Sequence, residues 1–259
     1  MSIAGTFASI SDIISLAVGN DITLDSTIYF SIASLVLFAC IFVYLGMFKL
    51  PVLQEKFSYN KSNVEESYHS SSSENSQDGE QSFVNVFRHI YPTALSVMCV
   101  FAVTLTIQPS LLSGIRSVNA DNGSAITNKY FTAVAGFLIF NIGDFTGRII
   151  SGFVRIVDNR GPWLPILCVA RIAFIPLFMF CNFQPRHHLH VVFDSDAYPV
   201  IFNVLFSVSN GYLASLCMMY GPERAPEGMM ETAGATMQLF LTIGLGLGSL
   251  LSLAVVNII

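Results

Sequence analysis

The sequence predicts an all-α, polytopic membrane protein, a bundle of helices that cross the bilayer. Hydrophobic residues make up 53% of the 259 residues and charged residues 11%, and the mean hydropathy is +0.62. A soluble domain is about 25% charged, so this chain is too apolar to be one. Its apolar runs have the length of about 20 residues that a membrane-spanning helix needs. They lack the alternation of polar and apolar residues that is typical of a membrane β-barrel.

Seven apolar segments are predicted to span the membrane as helices. Two of them carry pairs of glycines with the GxxxG spacing, Gly143 with Gly147 and Gly244 with Gly248, which lets neighbouring helices approach closely. The predicted spans are residues 3–19, 27–48, 92–113, 131–153, 163–183, 197–220 and 232–258.

A hydrophilic segment separates the second span from the third. Its centre, VEESYHSSSSENSQDGEQS (residues 64–82), is rich in serine and acidic residues and nearly free of large aliphatic ones. Such a composition cannot bury enough apolar surface to fold, so residues 49–91 are predicted to form a disordered loop. This loop is either a simple linker or a regulatory segment that is phosphorylated.

The positions of lysine and arginine predict the orientation of the bundle. Eight of them lie on one side of the predicted spans and three on the other. Cytosolic loops are enriched in these residues, so the N-terminus and the loop 49–91 are predicted to be cytosolic and the C-terminus extracellular. The eight are Lys49, Lys56, Lys61, Arg88, Arg148, Arg155, Arg160 and Arg224; the three are Arg116, Lys129 and Arg186.

The fourth predicted span carries an unusual polar face. In the stretch FLIFNIGDFTGRII (137–150), Phe137, Asn141, Asp144 and Arg148 recur at spacings of four, three and four, which places them on one side of a helix. A charge at mid-membrane costs about 2.5 to 3.5 kcal/mol, and such residues usually mark a substrate or ion path. The structural alternative is an Asp144–Arg148 pair that only holds helices in register.

The later spans contain further polar candidates. Arg171 is interpreted as a gating residue or as a clamp between helices, with its guanidinium bound by a carboxylate or by the carbonyl of Ile172, which Pro176 leaves without its helical donor. Glu231 either stabilises the start of the last helix through the helix dipole or closes the cavity by reaching an arginine of the fourth span.

A second hydrophilic face is predicted on the sixth span. Asn203, Ser207, Asn210 and Ala214 again recur at four, three and four. This face either lines the same aqueous cavity as Asp144, in which case Asn210 contacts the substrate, or serves plain helix packing.

The motifs of several other classes of protein are missing from the sequence. It contains no HExxH, GxSxG or GxxxxGK[ST], so neither an enzyme nor an ATP-driven pump is predicted. The cysteines and the RHHLH stretch (186–190) lack a metal-binding arrangement, and we expect no metal and no cofactor. The net charge of −5 gives no reason to expect a nucleic-acid partner.

Several stretches resemble the equilibrative nucleoside transporters, and together they cover nearly the whole chain outside the hydrophilic loop. They are AGTFASISDIISLAVG (4–19), YLGMFKLP (44–51), FNIGDFTGR (140–148), LPILCVARIAFIPLFMFCN (164–182), SNGYLASLCMMYGP (209–222) and ETAGATMQLFLTIGLGLGSLLS (231–252).

The resemblance implies a fold and a domain organisation. Members of that family have eleven spans in two bundles of the major-facilitator type, with a large cytosolic loop after the sixth span. Residues 1–48 would then be the last two spans of the first bundle, and residues 92–259 the five spans of the second. The first four spans of the family have no counterpart, so we expect a fragment, an incomplete gene model or a truncated isoform.

The resemblance also implies a function, facilitated transport of nucleosides, with nucleobases as further cargo, across the plasma membrane. Asp144 and Arg148 match the residues that engage the sugar, and Phe137 lies on the right face to contact the base. The alternative is a truncated, non-transporting protein that associates with full-length protomers and regulates them. A third reading replaces nucleosides by organic cations, with Asp12 or Glu231 as the extra acid. Coupling to protons through Asp144 stays open.

Overall fold

The computed structural model describes residues 2–18, 22–47, 76–118, 130–159, 161–184 and 190–258. Within these ranges the chain is built from helices and connecting segments. In chain order they are α1 (Ser2–Val18), α2 (Ile22–Met47), α3 (Ser76–Ile107), α4 (Ser110–Gly114), the π-helix π1 (Thr132–Leu138), α5 (Ile139–Phe153), α6 (Trp163–Ala170), a 3-10 turn (Arg171–Ala173), α7 (Phe174–Met179), α8 (Ala197–Glu223) and α9 (Met230–Ile258).

These helices confirm the predicted all-α membrane bundle. Five described segments are long and apolar enough to cross a membrane, and two shorter apolar helices lie at Gly5–Ala17 and Trp163–Met179. Each of the seven predicted spans therefore contains an apolar helix. The five long segments are Ser26–Gly46, Val84–Gly114, Thr132–Phe153, Ala197–Glu223 and Met230–Ile258.

A helix extends into the C-terminal part of the segment 49–91, which the sequence predicts to be a disordered loop. Helix α3 already begins at Ser76, sixteen residues before the predicted start of the third span. Val86 and Ile90, one helical turn apart, are fully buried in the hydrophobic core, and this burial stabilises a helix that the polar composition alone does not favour. The serine-rich residues 64–75 lie outside the described residues.

Helix α8 lies at the centre of the bundle. It packs against α5 on one side and against α3 on another, and α3 in turn packs along α9. Phe206 of α8 is fully buried, and its ring lies 5.7 Å from the rings of both Phe140 and Phe178. Helix α1 packs against α5 and π1, and α2 packs against α1.

Glycines allow the closest helix contacts. A Cβ atom at Gly211 would collide with the carbonyl oxygen of Asp144 and lie 2.9 Å from the backbone nitrogen of Arg148, and one at Gly147 would collide with the carbonyl oxygen of Val208. The predicted close approach of helices at glycine is therefore confirmed where α5 meets α8. Gly244 and Gly248 make the same kind of contact between α9 and α3, against the backbone of residues 98 and 102.

The π-helix π1 at the start of the fourth span is held by a buried amide of α8. Asn203 is fully buried, and its Nδ2 donates hydrogen bonds to the carbonyl oxygens of Ala135 at 2.6 Å and Gly136 at 2.8 Å. Short π-helical segments are rare and are found frequently at functional sites. Here the segment carries Phe137, so Asn203 fixes the backbone that presents this ring.

The tight contact at Gly211 predicts a stability effect. In Gly211→Ala the added methyl group collides with backbone atoms of α5 and pushes α5 and α8 apart. We expect the free energy of unfolding to fall by about 1–3 kcal/mol, the usual cost of overpacking. The measurement is the melting temperature of the purified chain in detergent. The control is Gly152→Ala on α5, where a Cβ atom meets nothing within 4 Å; equal melting temperatures for the two variants would contradict the prediction.

Candidate functional site

The predicted Asp144–Arg148 pair forms on α5. Arg148 Nε donates to Asp144 Oδ2 at 2.9 Å and Arg148 Nη2 to Asp144 Oδ1 at 3.4 Å. The two residues are one turn apart, so the helix itself sets this geometry. The side chain of Asp144 is 8% exposed and that of Arg148 is 31% exposed. The carboxylate is thus buried, and the guanidinium covers it from the more open side.

Asn210 binds the same carboxylate from α8. Its Nδ2 donates to Asp144 Oδ1 at 2.7 Å, while its Oδ1 accepts hydrogen bonds from Arg171 Nη1 at 3.0 Å and Thr104 Oγ1 at 2.7 Å. Because a guanidinium can only donate, the oxygen of this amide must face Arg171 and its nitrogen must face Asp144. The close contact of α5 with α8 at Gly211 brings Asn210 within reach of Asp144.

Arg171 lies on the 3-10 turn that interrupts the fifth span, and it is only 2% exposed. Besides Asn210, its Nη1 donates to the carbonyl of Val100 at 3.4 Å, and its Nη2 donates to Thr104 Oγ1 at 3.3 Å and to the carbonyl of Phe206 at 3.4 Å. Its Cζ also lies 4.7 Å from the centre of the Phe206 ring. The predicted acceptors, a carboxylate or the Ile172 carbonyl, are replaced by neutral groups of α3 and α8.

Phe137 and Asn141 lie at a separate cleft between α1 and α5. Asn141 Nδ2 donates to Ser9 Oγ at 2.9 Å and to the Phe137 carbonyl at 2.9 Å. The cleft has a volume of about 320 Å³ and is lined by Gly5, Ala8, Ser9, Asp12, Phe137 and Asn141. Asp144 lies three residues further along the helix from Asn141, a rise of about 4.5 Å. The four residues of the predicted face therefore divide between a cleft and a buried pair.

The predicted hydrophilic face of α8 does not line an open cavity in the part of the chain that the structure describes. Asn203, Ser207, Asn210 and Ala214 are all buried. A Cβ atom at Gly143 of α5 would collide with the hydroxyl of Ser207. The face packs directly against the helix that carries Asp144, which corresponds to the alternative of plain helix packing, because the glycines of α5 allow the two helices to approach closely.

Glu231 is exposed, in the first turn of α9, where a carboxylate suits the positive end of the helix dipole. The ion pair just after α5 uses another acid, since Arg155 Nη1 lies 3.4 Å from Glu223 Oε1. Helix α9, which carries Glu231, packs against α3 and α8 instead. Among the described residues, the arginine that follows α5 therefore meets Glu223 instead of Glu231, and the sequence pattern does not identify this contact.

Asn159 extends this contact at the end of the bundle. Its Nδ2 donates to Glu223 Oε2 at 3.1 Å, and its Oδ1 accepts from Arg224 Nε at 2.8 Å. Arg224 Nη1 in turn donates to Thr93 Oγ1 at 2.9 Å. These bonds tie the segment after α5 to α8 and α3. The adjacent residues Glu223 and Arg224, which carry opposite charges, are the feature of the sequence that could have indicated these contacts.

The side chains of the site can form hydrogen bonds with a ligand. No group of three His, Cys, Asp or Glu side chains that could hold a metal is found among the residues with described positions. Asp144 supplies a carboxylate that accepts from donors, and Arg148 supplies a guanidinium that donates to acceptors. A carboxylate and a guanidinium side by side can bond to hydroxyl groups, each of which is both a donor and an acceptor.

Comparison with known proteins places the whole chain in one family. A family model described as Nucleoside transporter matches residues 1–257. Human equilibrative nucleoside transporter 1 is 35% identical over 270 residues, which cover 96% of this chain and 59% of that protein. Rat equilibrative nucleoside transporter 3 is 31% identical over 265 residues, covering 96% and 55%.

A third relative, human equilibrative nucleoside transporter 2, is 38% identical over 174 residues, covering 67% of this chain and 38% of that protein. The chain thus spans little more than half the length of the first two relatives. The family match includes all the described helices that carry the Asp144–Arg148 pair and its neighbours. The chain therefore belongs to the nucleoside transporter family.

Proposed function

We propose that this chain carries out facilitated transport of nucleosides, with nucleobases as further cargo, and that the Asp144–Arg148 pair binds the ribose. The observation that supports this most directly is a buried carboxylate covered by a guanidinium that is 31% exposed at its side chain, inside a membrane-spanning helix. Ionisable groups at such depth usually serve a substrate path, and the relatives are named as equilibrative nucleoside transporters.

The chemistry of the pair suits a ribose diol. The two sugar hydroxyls donate to the Asp144 carboxylate and accept from the Arg148 guanidinium, in charge-assisted hydrogen bonds that are stronger than neutral ones. Arg148 uses Nε and Nη2 toward Asp144, which leaves Nη1 out of the pair. A hydroxyl can therefore bind Arg148 before the Asp144–Arg148 contact opens.

The cleft between α1 and α5 suits the base. Its volume of about 320 Å³ lies at the lower end of the range of about 300–1,000 Å³ that is typical of small-molecule sites. Phe137 offers an aromatic ring against which a flat nucleobase stacks, and Asn141 offers an amide to its polar edge. The cleft and the Asp144–Arg148 pair follow one another along π1 and α5, as do the base and ribose of a nucleoside.

The mechanism we propose is downhill diffusion through alternating access. A nucleoside is neutral, so the substrate itself requires no coupled ion. Residues 1–48 and 92–259 would belong to two bundles that rock about the site, in the plasma membrane, with the segment 49–91 cytosolic and the C-terminus extracellular.

Substitutions of the pair test the substrate site. Asp144→Asn and Arg148→Ala each remove hydrogen bonds to a charged group, worth about 1.5–3 kcal/mol, so uptake of uridine or adenosine should fall roughly 10- to 100-fold. Uptake is measured in cells without other nucleoside transporters and divided by the surface amount of the protein. The control is Thr146→Val on the exposed side of α5. Wild-type uptake by both pair variants would disprove the site.

Thiol labelling tests whether water reaches the pair. In Arg148→Cys the thiol should react with a charged, membrane-impermeant methanethiosulfonate much faster than in Asn210→Cys, because Arg148 is partly exposed and Asn210 is 3% exposed. The unsubstituted chain gives the background of its own cysteines. Equal rates for the two variants would show that the pair faces lipid or protein and would contradict the proposed path.

Epitope labelling tests the orientation. By the positive-inside rule, an epitope after residue 259 should bind antibody on intact cells, and one inserted between residues 70 and 75 only after permeabilisation. The opposite pattern would invert the proposed topology.

A further inference from the structure

Arg171 is a buried cation without a direct carboxylate partner in the described part of the chain. It is 2% exposed, and its hydrogen-bond acceptors among the described residues are three neutral groups of α3 and α8 in addition to Asn210. Burying an unpaired charge is costly, and nearby charges of opposite sign reduce that cost. The nearest such charge along its hydrogen bonds is Asp144, which it reaches through one amide.

Asn210 connects the two charges in a fixed direction. Its oxygen accepts from Arg171 Nη1 at 3.0 Å, and its nitrogen donates to Asp144 Oδ1 at 2.7 Å. A donor bound to the oxygen of an amide polarises the amide and strengthens the bond that its nitrogen makes. The cation Arg171 therefore acts on Asp144 through Asn210, although the two side chains belong to different spans.

In the described part of the chain, Asp144 thus has two cationic neighbours, and their side chains differ in how freely they can move. Arg148 contacts it directly, and its side chain is 31% exposed. Arg171 is enclosed by α3, α8 and the Phe206 ring, so it cannot follow a ligand. When Arg148 turns toward a sugar hydroxyl, the cost of separating it from Asp144 depends on what charge remains nearby.

We propose that Arg171 is a positioning residue that holds the Asp144 carboxylate through Asn210, so that Arg148 is free to leave Asp144 and bind the substrate. The proposal rests on the proposed function, because it assigns the release of Arg148 to nucleoside binding. Arg171 itself does not touch the substrate. Neutralising Arg171 should leave Arg148 as the remaining counter-charge of Asp144 among the described residues and keep it bound there.

Uptake kinetics test the positioning role. Arg171→Gln should raise the KM for uridine by about tenfold with a smaller change in the maximal rate per surface molecule, whereas a purely structural loss would lower the amount of active protein at unchanged KM. Arg171→Lys, which keeps the charge, should recover most of the affinity. The control is Thr146→Val on the exposed side of α5, whose hydroxyl donates to the carbonyl of Ile142; it should leave KM nearly unchanged.

A second variant covers the case in which Arg171→Gln does not fold. Asn210→Ala cuts the connection but keeps the contacts of Arg171 with Thr104, Val100 and Phe206, and it should raise KM in the same way. A KM equal to wild type in Arg171→Gln or in Asn210→Ala would overturn the proposal.

Melting temperatures without nucleoside test the connection independently of transport. The purified wild type, Arg171→Gln, Asp144→Asn and the double variant form a cycle, in which the double variant should lose less than the sum of the two single losses. Additive losses would overturn the connection, whatever the uptake shows. A wild-type chain that takes up no nucleoside would instead disprove the proposed function. Failure of the Arg171–Asp144 connection and failure of the proposed function are therefore detected in different experiments.

Discussion

The close approach of α5 and α8 is the constraint on which the site depends. At Gly211 the backbone of α8 lies so near to α5 that a single added methyl group would collide with the Asp144 carbonyl. Only at this separation can the short side chain of Asn210 reach the Asp144 carboxylate at 2.7 Å. The glycine contact is usually regarded as a packing device, but here it also positions the charge that we propose binds the sugar.

The hydrogen bonds that link Arg148, Asp144, Asn210 and Arg171, a buried network, also explain how the bundle tolerates three charged side chains within the membrane. Each mid-membrane charge costs about 2.5–3.5 kcal/mol on insertion scales, and an average hydrogen bond between membrane helices returns only about 0.6 kcal/mol. Arg171 is therefore surrounded by four hydrogen-bond acceptors and an aromatic ring, since no single bond would suffice. The direct Asp144–Arg148 bond and the indirect link through Asn210 share one carboxylate between two cations.

The sequence predicted what depends on local pattern and missed what depends on distant contacts. The spans follow from runs of apolar residues, and the Asp144–Arg148 pair follows from a spacing of four on one helix. The partners of Arg171 lie 35 to 71 residues away, and no periodicity identifies them. Helix α3 begins at Ser76, inside a polar stretch, because burial of Val86 extends it. Glu223 rather than Glu231 meets Arg155, because α9, which carries Glu231, packs against α3 and α8.

The contacts of the site also indicate which helices would move together in the proposed rocking motion. Asp144, Asn210 and Arg171 belong to residues 92–259 and are bound to one another, whereas α1 is tied to this face through the bond of Asn141 to Ser9. A movement of α1 and α2 against the other helices would break that bond and open the cleft at Phe137, but it would leave the buried network intact. The carboxylate would then keep its geometry in both states of the proposed alternating access, while the cleft that we propose binds the base changes its access.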